Sequence, residues 1–139
     1  MYVIVVGNDT QRRTAGYWKQ QYTGKGGGLL PVAVRQCYLD IANFLSARFD
    51  GVTSSQAERI LNDTRTPLQQ LERQLLAAWL NVADGSIGYD QLVDTNNNGS
   101  VDTPFSVFAA AVEARINTAT NAQRTADANT LERINQALA

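Results

Sequence analysis

Leu75-Leu76-Ala77-Ala78-Trp79-Leu80 is the stretch that most restricts how this chain can fold. A helix built from it is apolar on every side, and such a helix must be wrapped by other elements rather than laid on a surface. The residues upstream carry a strong start signal. In Thr66-Pro67-Leu68-Gln69, Thr66 can cap the first helical amides, Pro67 suits the first helical position, and Gln69 can bond back to the cap. Asp84-Gly85 is the matching stop. The expectation is a central helix from Pro67 to about Ala83, with the rest of the chain packed around it.

Helical patterns lie on both sides. Pro31 suits the first turn of a helix reaching about Phe49, whose apolar face reads Val34, Cys37, Tyr38, Ile41, Phe44 and Leu45. A short helix follows Thr53 or Ser54, with Gln56 placed for a capping box and Ile60-Leu61 facing inward. Thr103-Pro104 opens another, with Phe105, Phe108, Val112 and Ile116 on one face. A last helix covers roughly residues 119–138. Its thin face of Ala128, Leu131, Ile134 and Leu138 suits peripheral packing or contact with a neighbour. Residues 8–30 read as irregular, with Gly24-Lys25-Gly26-Gly27-Gly28 as a flexible patch. Tyr2-Val3-Ile4-Val5-Val6 is rich in β-branched residues and ends at Gly7-Asn8, the pattern of a strand. The fold class is therefore mainly α. A small helical bundle forms a single domain over residues 1–139, with a lone N-terminal β-strand at 1–7, an irregular segment at 8–30 and a helical core at 31–138. With 139 residues and 44% hydrophobic content, the chain can bury a core of its own.

Asp94-Thr95-Asn96-Asn97-Asn98-Gly99-Ser100-Val101-Asp102 carries the chemistry. Counted from Asp94, side-chain oxygens fall at positions 1, 3, 5 and 9, a glycine at 6 and an apolar residue at 8, the pattern of an EF-hand-like calcium loop. Hard cations take several oxygen ligands, and short Asp and Asn side chains at alternate positions can converge on one ion. Asp94, Asn96, Asn98 and Asp102 would supply side-chain oxygens, and Ser100 its backbone carbonyl. Gly99 would allow the sharp turn, and Val101 would tuck into the core. Asn, Asp and Gly also build ordinary surface turns, but the fixed register favours calcium. Position 12 of an EF-hand is a bidentate Glu, and here it is Phe105. The segment thus resembles the shorter loops of dockerins and related extracellular modules, where an Asp at position 9 can close the site. With only two carboxylates, the expected affinity is weak, about 0.1–1 mM.

Other chemistries are narrowed by what the chain lacks. It contains 0 histidines, which removes the usual general base, the commonest zinc ligand and any Ser-His or Cys-His pair. Cys37 has no second cysteine to pair with, and its place on the apolar face predicts a buried core thiol. No clustered carboxylate pair is visible, so an enzyme is not expected. The net charge of −1 selects neither nucleic acid nor an acidic membrane. Arg12, Arg13, Lys19 and Lys25 read as a solvated face, and Gly24-Lys25-Gly26 lacks the spacing and the Ser/Thr of a phosphate loop. No segment is long and apolar enough to span a membrane. Met1 to Val6 is too short for a signal-peptide core, so the chain either stays in the cytoplasm or is a mature or partial form; a weak cation site would be largely empty at cytosolic calcium levels, which favours the second.

Three further elements carry a resemblance. They are Gly16-Tyr17-Trp18-Lys19, then Ile60-Leu61-Asn62, then Gln74-Leu75-Leu76-Ala77-Ala78-Trp79-Leu80-Asn81. In order and rough spacing, residues 13–117 resemble a family of secreted and cell-surface proteins of bacteria and archaea. Family members often carry Asn-His after the Lys, where this chain has Gln20-Gln21, so no role of that pair carries over. The resemblance implies an extracellular location and a structural or surface role, and it implies no chemistry.

The functional expectation is an extracellular calcium-stabilised structural protein, a subunit of a cell-surface assembly or filament. A lone strand leaves both backbone edges unpaired, and self-association through Tyr2, Val3, Ile4, Val5 and Val6 would satisfy them. Donated head to tail, such a strand gives fibres. Packing as extended chain, or continuation from an upstream domain, would also account for it. The alternative function is an extracellular module holding a glycan or a protein on Tyr17, Trp18 and Tyr22, although packing is the commoner use of such rings.

Overall fold

The computed structural model describes residues 6–7 and 11–137. Their helices are α1 (Ala15–Thr23), α2 (Val32–Leu45), α3 (Ser54–Asn62), α4 (Pro67–Ala83), α5 (Phe105–Arg115) and α6 (Asn121–Gln136). Between α4 and α5, β1 (Leu92–Val93) and β2 (Thr103–Pro104) form a short antiparallel pair. The protein is a mainly helical small bundle, as the periodicity predicts.

Helix α4 is the axis of that bundle. Its residues from Gln74 to Ala83 are all buried, and α6, α2, α3 and α1 pack against it. The capping boxes at Thr53/Gln56 and Thr66/Gln69 both form, with Pro67 in the first turn of α4. The core is continuous around α4 and includes Trp18, Leu39, Leu61, Leu131 and Phe105.

Several expectations are corrected. The segment 8–30 is not wholly irregular, because α1 occupies Ala15–Thr23. Thr14 caps it by accepting from the Tyr17 amide at 3.2 Å, and Gly24 ends it with φ 71°. Helix α2 buries Leu39 and Ala42; of the expected face, Tyr38 and Leu45 pack half-buried against the core, whereas Cys37 is exposed and Phe44 is 58% exposed. Apolar residues cover more than half of α2's circumference, so the pattern allows two docking faces. The face with Leu39 and the small Ala42 is the one buried in the core. Helix α6 is not peripheral, since Ala128, Leu131 and Ile134 are buried and the helix lies along α4. The β1–β2 pair was not expected. The proposed N-terminal strand lies outside the described residues except for Val6 and Gly7. Those two are not in a strand, but the Gly7 amide donates to Ala83 O at 2.9 Å.

A buried amide network ties α4 to its wrapping. Asn81 Oδ1 accepts from the Arg13 amide at 2.9 Å and from Trp18 Nε1 at 3.0 Å. Asn81 Nδ2 donates to Arg13 O at 2.8 Å and to Asn135 Oδ1 at 3.1 Å. Asn135 Nδ2 in turn donates to Gln74 O and Gln74 Oε1, each at 3.1 Å. Asn81 therefore joins α1, α4 and α6 through one side chain.

Candidate metal site

The loop from Asp94 to Asp102 is the turn of a hairpin. Leu92 pairs with Pro104 and Val93 with Thr103. The ladder continues at both ends, with the Asp102 amide donating to Val93 O at 2.9 Å, the Phe105 amide to Gln91 O at 2.8 Å and the Ser106 amide to Tyr89 O at 2.9 Å. Val93 and Phe105 are buried, so the neck of the loop is anchored in the core. Helix α5 begins directly at Phe105, which makes the loop a short lever on α5.

Within the loop, Asp94 is the organising side chain. Its Oδ1 accepts from the amides of Asn96 at 3.2 Å and Asn98 at 3.4 Å, and its Oδ2 from the Gly99 amide at 2.9 Å. Asn96 Oδ1 accepts from the Asn98 amide at 3.2 Å, and Asn98 Oδ1 from the Ser100 amide at 2.9 Å. The turn needs two left-handed residues, Asn97 with φ 59° and Gly99 with φ 84°. Asn tolerates that region and Gly favours it. Partial burial pushes the Asp94 carboxyl upward, but the amides of Gly99, Asn96, Asn98 and Asn97 outweigh it and hold the group below the usual range.

The structure thus brings Asp94, Asn96 and Asn98 together around one turn. Ser100 is exposed on the same turn. Asp102 sits at the neck. Its Oδ1 accepts from Thr95 Oγ1 at 2.6 Å and Thr103 Oγ1 at 2.7 Å, and its Oδ2 from the Thr95 amide at 3.2 Å. Those two hydroxyls hold its carboxyl below the usual range. Val101 does not tuck into the core; it is 59% exposed, because Val93 and Phe105 fill the space beneath the hairpin.

The donor chemistry fits a hard divalent cation. All the candidate groups are oxygens, and two are carboxylates kept ionised by their neighbours. Among the described residues, no three His, Cys, Asp or Glu side chains gather in one place. A cation here would depend on amide and carbonyl oxygens as much as on charge.

The aromatic cluster of the alternative reading is largely core. Trp18 is 0% and Tyr22 8% exposed, and Tyr22 Oη donates to Arg35 O at 2.8 Å. The Arg13 guanidinium lies 4.7 Å from the centroid of the Tyr17 ring. These rings form no open platform for stacking. Sequence reasoning also passed over Glu113. Its carboxylate accepts from Trp79 Nε1 at 2.9 Å, the Arg48 amide at 2.9 Å and Ser46 Oγ at 3.1 Å, pinning α5 to α4 and to the end of α2. Glu113 stands alone among alanines on α5, a pattern that marks a single inward polar anchor.

No family model, curated protein or solved structure matches this chain. No helix among the described residues is long and apolar enough to cross a membrane.

Proposed function

We propose that the chain is an extracellular, calcium-stabilised structural protein. It acts as a subunit of a cell-surface assembly or filament, its copies associating through Tyr2, Val3, Ile4, Val5 and Val6. One observation carries the calcium part of this reading. Asp94, Asn96 and Asn98 aim short oxygen-bearing side chains around a turn whose ends are fastened by β1–β2 and whose last strand runs straight into α5. Asp94, Asn96, Asn98 and Asp102 would hold the ion with side-chain oxygens, and Ser100 would add its carbonyl. The neck is already closed by Asp102 and Thr95, so the cation would act as a clip rather than as a switch.

The expected size of the effect follows from linkage. At about 2 mM calcium and a dissociation constant near 0.1 mM, binding to the folded state alone adds about 1.8 kcal/mol. That is a useful part of a domain's margin. Thermal unfolding in calcium and in chelator tests it directly. The melting temperature is expected to rise by several degrees with calcium in the native chain and to stay put in Asp94→Ala. Identical melting of the native chain in both conditions refutes the clip.

A further inference from the structure

A hollow of about 280 Å³ opens beside the hairpin, between its neck and the last turns of α6. Among the described residues, Arg12, Arg133 and Asp94 are the charged ones that line it. Its walls are otherwise apolar or neutral: Val93, Leu92, Val101, Ile134 and Ala137, with Gln91 and Asn97 at the edge. Neither arginine has a carboxylate partner among the described residues. Arg12 Nη1 donates to Ile134 O at 3.1 Å, and its buried Nε has no acceptor. Arg133 makes one long contact, from Nη2 to Thr130 Oγ1 at 3.5 Å. Arginines elsewhere in the fold are completed in two ways: Arg73 and Arg124 donate to the backbone carbonyls of Leu61 and Ile116, and Arg115 and Arg48 meet carboxylates. Arg115 meets Asp127 through two bonds, at 2.9 and 2.7 Å, and Arg48 meets Glu72 at 3.2 Å.

Burying a guanidinium without an anion is costly unless something completes it. Burial indeed lowers the pKa of Arg12, the direction expected for a cation with no compensating charge. Both oxygens of Asp94 are turned to amides of their own loop, so Asp94 does not neutralise the arginines at hydrogen-bonding range. Among the described residues the lining has two cations and one anion, one net positive charge. A planar monoanion matches the guanidinium fork, and the apolar walls suit a hydrophobic body. A phosphate dianion would overfill the charge and sit against Asp94.

We infer that the Arg12–Arg133 hollow binds a small organic carboxylate with an apolar body, its carboxylate on the two guanidinium groups and its body against Val93 and Ile134. This site does not depend on a cation in the loop, and its test is run in chelator so that its failure is separate from failure of the calcium reading.

Phenylacetate, the neutral phenylacetamide and inorganic phosphate are titrated into the isotopically labelled full chain, with backbone amide shifts as the readout. Phenylacetate at about 10 mM, a concentration suited to weak small-ligand binding, is expected to move the amides of Val93, Asn97 and Ile134. Phenylacetamide is expected to leave them in place. Arg133→Gln, at a half-exposed position that should not disturb folding, is expected to weaken phenylacetate by roughly tenfold or more. Arg12→Lys keeps the charge and loses the fork, so it should weaken binding less than Arg12→Gln. Absence of shifts, equal shifts with the amide, tighter binding of phosphate, or unchanged binding in Arg133→Gln would each overturn the assignment.

Discussion

Asn81 uses its one amide as both donor and acceptor, accepting at Oδ1 from Arg13 and Trp18 and donating twice from Nδ2. Asn81→Ala would strand the Trp18 indole N–H and Asn135 Oδ1 in the buried interior, and the Arg13 amide at its half-buried edge. A single stranded buried group costs about 1–3 kcal/mol, so a loss of about 3 kcal/mol is expected from the set. Denaturant unfolding measures it, and a loss below about 1 kcal/mol would mean that water replaces the amide. Tyr22 offers a pH test at the same scale. Burial pushes its phenol well above the usual range; the Arg35 charge opposes this, while Asp40 and Tyr38 add to it. In the unfolded chain the phenol ionises near pH 10, whereas the folded chain keeps its proton to higher pH. Above about pH 10 the unfolded state therefore binds fewer protons, and stability falls as pH rises. Below that pH the group contributes no slope. Tyr22→Phe should begin about 1 kcal/mol less stable, having lost the bond to Arg35 O, and should decline less steeply in alkali. Parallel curves for the two proteins would contradict the assignment.

The hairpin and its loop are where backbone conformation and cation chemistry meet. Gly99 sits at φ 84° with nothing within 4 Å of where a Cβ would be. Gly99→Ala thus tests conformation alone, at a cost of about 1 kcal/mol in the left-handed region. If the loop binds calcium in this shape, the cost falls on the free and the bound loop alike: melting in chelator should drop by a few degrees, and the rise on adding calcium should be kept. A calcium-induced rise lost in Gly99→Ala would show that the ion needs a turn that alanine cannot supply. The helices reveal which signals a sequence exposes. Local signals survive reading: the boxes at Thr53 and Thr66, the proline at 67 and the stop at Asp84 are chemistry between near neighbours. Helix α1 was hidden because little in its periodicity marks it as a helix. Its Trp18 is fixed by Asn81, 63 residues away. The docking face of α2 was hidden because its apolar residues are too many to choose between two faces. Val101 was misplaced for a similar reason, since register alone does not reveal that Val93 and Phe105 already occupy the space below. The loop's inner set of Asp94, Asn96 and Asn98 was legible because alternate spacing is itself the geometry.

At the scale of the molecule, the question is how one copy meets another. The described chain begins its contact with the bundle at Gly7, whose amide bonds to Ala83 O at 2.9 Å. A Cβ there would fall 2.6 Å from Asp84 O and 2.7 Å from Tyr38 Oη, so the backbone is pressed against the end of α4. Residues 1–6 can therefore be removed without taking away that anchor. Tyr2, Val3, Ile4, Val5 and Val6 form an uncharged, β-branched run, the composition that pairs most readily with another backbone edge. If this run joins copies, the intact protein should form concentration-dependent fibres or higher oligomers in negative-stain images and in light scattering. The chain lacking residues 1–6 should then be monomeric, with an unchanged helical circular-dichroism spectrum. A truncated chain that assembles as the intact one does would move the interface elsewhere. Monomers in both preparations would remove the filament reading and leave the calcium clip to stand or fall on its own melting curves.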